Sequence, residues 1–165
     1  MLVIESEMND MSGFGFNAGE QTSIAIDSGD GSDSGWPELS TGEFRQHRRI
    51  PEFYEEAVIA DSLNRSSEEV QQQLSSFIMK QGTDASFTLN ENSIPVFTEK
   101  QRSIYRGAVY ARSHADLLGY FSAVDQKESG ANKASDPEQQ DAILAQSNRS
   151  VRLLLGLGRA GVHSL

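Results

Sequence analysis

The stretch PEFYEEAVIADSLNRSSEEVQQQLSSFIMKQG, residues 51–82, decides the fold, because its apolar residues recur at helical spacing. Pro51 suits the first position of a helix, where its missing N–H donor costs nothing. Asn64 is suited to end that helix. Ser66 and Glu69 then form a capping box, in which the serine oxygen accepts a backbone N–H and the glutamate reaches back. The stretch therefore predicts two helices joined by a tight turn.

Residues 86–97 break this helical period, because Phe87 and Leu89 alternate with polar residues before an extended segment. Either a short β-hairpin or an extended loop packed on the helices fits that pattern. Thr98 and Gln101 form another capping box. They predict the start of the longest helix, which runs to about Val124 and contains a stripe of small residues suited to close helix packing.

After the longest helix, a further strong helix is predicted from the capping residues Ser135 and Glu138, with Pro137 just inside its start and Gly156 at its end. The predicted fold is therefore mainly α. It is a small bundle of about four helices, with a short β-hairpin near residues 86–97 as an optional element and a flexible acidic N-terminal arm.

Charge is unevenly distributed along the chain, whose net charge is −10. Residues 1–44 contain acidic side chains, no lysine or arginine, and many glycines and serines. Such a segment has too little apolar surface to offset the entropy lost on ordering, so it is predicted to be disordered. The basic cluster RQHRR, residues 45–49, marks its end. The domain prediction is an arm over 1–44, a helical domain over 45–158 and a tail over 159–165.

Short apolar islands interrupt the predicted arm. In a flexible acidic segment, such islands are either docking motifs that become ordered on a partner protein or incidental residues of a solvated tail. An acidic arm also favours basic partner surfaces over phosphate backbones. The residues that would contact a partner are Phe14, Phe16, Ile24, Ile26 and Trp36.

The helix pair resembles the helix-turn-helix of DNA-binding regulators within residues 56–75. In that family a small residue, a turn residue and a branched apolar residue are separated by the intervals that Ala60, Asn64 and Val70 keep here. The resemblance implies that residues 67–79 would enter the major groove. The side chains that would contact nucleic acid are Arg45, Arg48, Arg49, Arg65, Gln71 and Gln72.

Several patterns with a chemical meaning fail on inspection. The chain has no cysteine, which excludes disulfides and thiolate chemistry. GLGRAG, residues 156–161, matches a dinucleotide fingerprint, but too few residues follow to form the required helix. DSGDGSDSGWPE, residues 27–38, has glycines where a calcium loop needs ligands. Residues 113–116 hold serine, histidine and aspartate side by side on a helix, where they cannot align as a triad. No catalytic, cofactor-binding or metal-binding residue is predicted, and the chain is predicted not to be an enzyme.

The predicted location of the protein follows from two kinds of segment that the sequence lacks, a secretory signal and a membrane helix. The N-terminus MLVIESEMND lacks the basic segment and apolar core of a secretory signal. No apolar run approaches the roughly 20 residues that a membrane helix needs. The protein is predicted to be cytoplasmic or within a particle, not secreted by a signal peptide, and without membrane contact.

The preferred function is therefore non-catalytic. The chain is predicted to be an assembly, scaffold or adaptor protein that docks on other proteins, as part of an assembly or homo-oligomer and as a component of a large particle such as a virion. One alternative is a helix-turn-helix DNA-binding regulator with an autoinhibitory acidic arm. A third is an acidic inhibitor of a nucleic-acid-binding protein.

Overall fold

The computed structural model describes residues 24–26, 35–81, 88–91, 95–129 and 137–157. It is mainly helical and contains four helices, which confirms the predicted fold class. The elements in chain order are β1 (Ala25–Ile26), β2 (Leu39–Ser40), α1 (Thr41–Arg48), α2 (Glu56–Gln81), α3 (Glu99–Ser129) and α4 (Pro137–Leu154).

The central element is α3, and α2 packs against it in the antiparallel direction. Near the start of α2, the Ser62 hydroxyl lies 2.8 Å from the Ser113 hydroxyl. Further along α2, the Gln71 side-chain amide donates to the Tyr105 hydroxyl at 3.0 Å. A later residue of α2 therefore meets an earlier residue of α3. Ser62, Ser113 and Tyr105 are buried, so these contacts lie inside the core.

A second face of α3 is covered by α4, which is also antiparallel to it. The Gln140 side-chain amide donates to the Ala115 carbonyl at 3.0 Å, and the Ser147 hydroxyl donates to the Ala108 carbonyl at 2.8 Å. Both acceptors belong to small residues of α3. The absence of bulk at these positions lets α4 approach closely enough for its side chains to reach backbone oxygens, which fits the predicted role of the small-residue stripe.

The predicted break between two helices in residues 51–82 was wrong, because α2 is a single helix over Glu56–Gln81. Ser66 is buried within it, and Glu69 pairs with Arg112 of α3 at 3.0 Å instead of reaching back to a cap. The turn of the helix-turn-helix motif is therefore not formed. An unbroken helix buries all of the apolar side chains that are in phase along α2, which are Ile59, Leu63, Val70, Leu74 and Ile78.

A short helix that the sequence analysis missed, α1, precedes α2. Ser40 is its N-cap and accepts a hydrogen bond from the Glu43 backbone N–H at 3.4 Å. The spacing S-x-x-E of these two residues was the available signal. Phe44 of α1 and Leu39 of β2 are fully buried in the core. The predicted boundary between residues 44 and 45 thus falls inside a helix that belongs to the body.

Other helix ends agree with the sequence. Thr98 and Gln101 form the predicted capping box, since the Gln101 N–H donates to the Thr98 hydroxyl and the Thr98 N–H donates to the Gln101 side chain. Pro137 is the first residue of α4, and Gly156 has the positive φ of 68° that favours glycine beyond a helix end. Ser135, the other half of its predicted capping box, lies outside the described residues.

Of the optional hairpin near residues 86–97, the described residues 88–91 and 95–97 contain one antiparallel bridge, between Leu89 and Pro95. The Val96 N–H donates to the Thr88 carbonyl at 2.7 Å beside it. The only other described strand pairing is the antiparallel ladder of β1 and β2, in which Ala25 faces Ser40.

Candidate protein interaction surface

Four aromatic side chains form a cluster at the end of the bundle where α2 begins. Phe53 stacks on Tyr54 with ring centroids 4.4 Å apart, and Tyr54 meets Phe121 edge-on at 4.0 Å. Tyr120 packs edge-on against Phe121 at 5.0 Å. Tyr54 is buried, whereas Phe53 is 72% exposed and Tyr120 is 55% exposed. We call this cluster of Phe53, Tyr54, Tyr120 and Phe121 the aromatic surface.

The loop that presents Phe53 is held by Arg45 of α1. The Arg45 guanidinium donates to the Pro51 carbonyl at 2.9 Å and to the Tyr54 carbonyl at 2.6 Å. Its Nε and Nη2 atoms also donate to one carboxylate oxygen of Glu56, at 3.1 and 2.9 Å. The Arg45 side chain is largely buried, so this clamp fixes residues 51–55 as a turn. The predicted helix start at Pro51 was wrong for this reason.

Phe53 is one of the apolar residues of the stretch 51–82 from which helices were predicted, but it lies before α2 and its side chain is exposed. Outside a helix, its ring is aimed into solvent while the next residue, Tyr54, turns inward. Large exposed apolar groups that adjoin one another are typical of protein contact sites, because a soluble monomer gains nothing by exposing them. The sequence carried one signal, since Phe53 and Tyr54 stand between glutamates that would be costly to bury.

A polar cleft of about 210 Å³ lies where α2, α3 and α4 meet. Its charged groups form two ion pairs, Arg65 with Asp116 at 2.8 Å and Arg112 with Glu69 at 3.0 Å. The hydrogen bond to Asp116 raises the pKa of Arg65 above its usual value. Charges of opposite sign are thus balanced within the cleft, which favours a role in joining the helices. Its lining is Arg65, Ser66, Glu69, Arg112, Ala115, Asp116, Gln140 and Leu144.

Arg112 is the most buried charged side chain of the cleft. Besides Glu69, its guanidinium donates to Asn148 at 3.0 Å and to Gln73 at 3.4 Å. Its acceptors come from both α2 and α4, although it belongs to α3. Its Nε atom is buried without a hydrogen-bond partner. One planar guanidinium therefore connects the three long helices.

His114 is a half-buried group with a shifted pKa. Burial lowers the pKa of His114 below its ordinary value of 6.5, and the nearby positive charge of Arg48 lowers it further. Its Nδ1 atom is buried and has no hydrogen-bond partner among the described residues. The imidazole is therefore favoured in its neutral form in the folded protein.

The residues predicted to contact nucleic acid are mostly used inside the fold. Arg45 clamps the loop at Pro51, Arg48 donates to the Gly107 carbonyl at 3.2 Å and to Gln146 at 2.9 Å, and Arg65 pairs with Asp116. Gln71 is bonded to Tyr105, while Arg49 and Gln72 are exposed. Nucleic-acid binding stays a prediction, which fluorescence anisotropy with duplex DNA at low salt would test.

The residues of the predicted arm that were expected to contact a partner have different positions in the structure. Trp36 packs against Phe97 and Tyr105, with ring centroids 5.6 and 5.7 Å apart, so it is part of the body. Ile24 is 41% exposed, and its backbone is bonded to Thr41 of α1. Ile26 belongs to β1, and Phe14 and Phe16 lie outside the described residues. The remaining arm contacts stay predictions.

Two other kinds of site, a membrane span and a metal cluster, are not found among the described residues. No helix in the described part of the chain has the length and apolar character that crossing a bilayer requires. Within those same residues, no group of three or more histidine, aspartate or glutamate side chains is placed to hold a metal ion.

Comparisons with known proteins agree with one another. Residues 31–165 match the phage head completion protein (GPL) family. Over 132 residues the chain is 26% identical to a probable head completion/stabilization protein of Haemophilus phage HP1, covering 79% of this chain and 87% of that protein. No solved structure matches significantly. The predicted role in virion assembly is confirmed by the family match. This chain belongs to the phage head completion protein (GPL) family.

Proposed function

We propose that this protein is a structural, non-catalytic component of the phage head, which remains in the finished particle and docks on other head proteins, copies of itself included. The observation that carries the proposal is the family match over residues 31–165. That range contains α1 to α4 and the whole aromatic surface. The family therefore shares the body of the protein, while residues 1–30 lie outside the match.

The geometry supports docking by a rigid body. The aromatic surface rests on a turn held by the Arg45 clamp and on α3, the central helix. Aromatic rings on a preordered backbone gain contact area with little further loss of conformational entropy. Phe53 and Tyr120 are the side chains most suited to act as anchors in a partner.

The test is the content of purified particles. In the phage that encodes this chain, we expect finished particles to contain the protein when they are separated on a density gradient and analysed by quantitative mass spectrometry. We expect a deletion of its gene to yield heads that do not become stable infectious particles. The protein's absence from finished particles, or normal particles from the deletion phage, would contradict the proposal.

A further inference from the structure

The three long helices give this protein two separate ends. Because α3 is antiparallel to α2 and α4, the starts of α2 and α4 share one end with the residues around Tyr120. The ends of α2 and α4 share the other with the residues around Lys100. About 20 residues of α3 separate Tyr120 from Lys100, which is roughly 30 Å at the helical rise per residue. The two ends can therefore contact different molecules at once.

The first end carries the aromatic surface in a mainly acidic setting. In the chain, Glu52 comes directly before Phe53 and Glu55 comes two residues after it, and both glutamates are exposed. Asp141, near the start of α4, is exposed at the same end. Among the described residues, the exposed charged side chains here include Arg49, Glu52, Glu55, Glu138 and Asp141. An incoming surface would therefore need apolar groups for the rings and bases for the surround.

The opposite end has that composition. Met79 is 83% exposed, Leu153 is 62% exposed and Val96 is 52% exposed. Arg149 is exposed one helical turn before Leu153, and Lys100 is exposed in the first turn of α3. We call this end of the bundle the aliphatic end; its exposed apolar side chains, Met79, Val96 and Leu153, come from three different segments of the chain. Among the residues that the structure describes, Lys100, Arg102, Arg149 and Arg152 are exposed bases around it and Glu91 and Glu99 are exposed acids, so bases are in excess within that set.

We propose that copies of this protein associate head to tail, with the aromatic surface of one copy bound to the aliphatic end of the next. Opposite charges around the two apolar surfaces favour this pairing, whereas either surface against its own copy would bring like charges together. This inference rests on the proposed structural role in the head, and it names a second copy of the chain as the partner of the aromatic surface.

Such an interface is heterologous, because each copy contributes two different surfaces. Repetition of a heterologous contact produces a closed ring or an open chain of copies, whereas a contact between identical surfaces stops at two. In a heterologous contact, a copy with one damaged surface still offers the other surface intact, so two differently damaged copies can bind each other.

The test uses the full chain and two single variants, Phe53→Asp and Leu153→Asp. Both positions are exposed, so the fold should be retained, which circular dichroism and thermal unfolding would verify. Ala145→Asp is the matched control, because it adds the same charge at an exposed position midway along α4. Sedimentation velocity over a wide concentration range would report the size of the species.

We expect the unaltered protein and Ala145→Asp to associate as concentration rises. Each of the other variants alone should associate more than about thirtyfold more weakly, because it offers only one intact surface. A one-to-one mixture of Phe53→Asp and Leu153→Asp should recover a dimer that grows no further, since one copy supplies the aromatic surface and the other supplies the aliphatic end.

Three results would overturn the inference: an unaltered protein that stays monomeric, a single variant that associates like the unaltered protein, or a mixture that stays monomeric. None of them would affect the proposed presence of the protein in the finished phage head, because its content in purified particles is measured separately. A particle that lacks the protein would remove the role and leave the self-association result standing.

Discussion

At the scale of the single residue, Arg112 shows how a buried charge can join helices. Its side chain is 9% exposed, while its partner Glu69 is 62% exposed. Gln73 and Asn148 are exposed as well. Removing the guanidinium therefore leaves partners that water can reach, so no buried group loses its last hydrogen bond. The contribution of Arg112 to stability should come as much from the volume that it fills as from its charge.

This asymmetry predicts different effects for two substitutions at the same position. Arg112→Ala should lower the free energy of unfolding by about 2–3 kcal/mol, because it loses the hydrogen bonds and leaves a void between three helices. Arg112→Met should lower it by about 1 kcal/mol or less, because it keeps the volume and removes a desolvated charge. Urea unfolding of both variants measures the difference. An equal loss for both would show that the charge, and not the packing, stabilises the site.

His114 predicts a dependence of stability on pH. Its pKa is lower in the folded protein than its ordinary value of 6.5. The unfolded chain therefore binds more protons just below pH 6.5, so protonation favours unfolding there. We expect the free energy of unfolding to fall as pH decreases from about 7 to about 5, and His114→Gln to reduce the slope in that window. Urea unfolding at several pH values measures the slope, and an unchanged slope in the variant would contradict the assignment to His114.

At the scale of the element, two capping boxes with the same local pattern had different outcomes. Thr98 and Gln101 do begin a helix, whereas Ser66 and Glu69 lie inside one. The difference is long-range. Before Thr98 the chain is extended and bridged, so a new helix must start there. Around Ser66 the apolar positions stay in phase on both sides, and packing of one continuous face against α3 overrides the local signal. The regular spacing of the apolar positions of α2 is visible in the sequence, but the surface of α3 that covers them is not.

Two glycines of α3 offer a paired prediction for helix packing. A Cβ at Gly107 would meet no neighbouring atom within 4 Å, whereas a Cβ at Gly119 would lie 2.8 Å from the Gln140 side-chain nitrogen. Gly107→Ala should therefore stabilise the protein by up to about 1 kcal/mol through helix propensity. Gly119→Ala should gain less or lose, because Gln140 must move away from the Ala115 carbonyl.

The same pair has an internal control. In a Gln140→Ala background the obstruction is gone, so Gly119→Ala should recover the gain of about 1 kcal/mol that alanine has over glycine in a helix. Thermal or urea unfolding of the four combinations measures the coupling. Additive effects of the two substitutions would show that Gln140 does not constrain the packing of α3 against α4.

At the scale of the whole molecule, the helical body and the assembly role could be predicted, but the interaction surface could not. Composition and helical periodicity suffice to predict a mainly α body. The aromatic surface depends on the Arg45 clamp, which joins α1 to the turn at residues 51–55. No local sequence pattern predicts this clamp. For the same reason the basic cluster was expected at a boundary, although Arg45 and Arg48 hold the body together.

The two ends predict that self-association depends on salt and on charge. The opposite charges around the two surfaces are exposed, so raising the salt concentration from about 50 to about 500 mM should weaken association. Glu55→Lys and Arg149→Glu should each weaken self-association, because each places like charges across the contact. A mixture of the two variants should recover part of the loss, since the two substituted side chains attract each other where one copy meets the other. Sedimentation equilibrium measures these constants, and association that strengthens with salt would indicate that apolar contact alone drives it.

Trp36 gives the molecule a built-in optical reporter. It is the only tryptophan of the chain, and its indole lies against Phe97 and Tyr105 in the body. Fluorescence excited selectively at the indole therefore comes from one place, where the segment before α1 is seated on α3. A red shift of its emission, without loss of the helical circular dichroism signal, would record the release of that segment while the bundle stays folded. The same indole lies beside the aliphatic end, because its neighbour Phe97 directly follows Val96, whereas events at the aromatic surface would go unrecorded unless they reach this position.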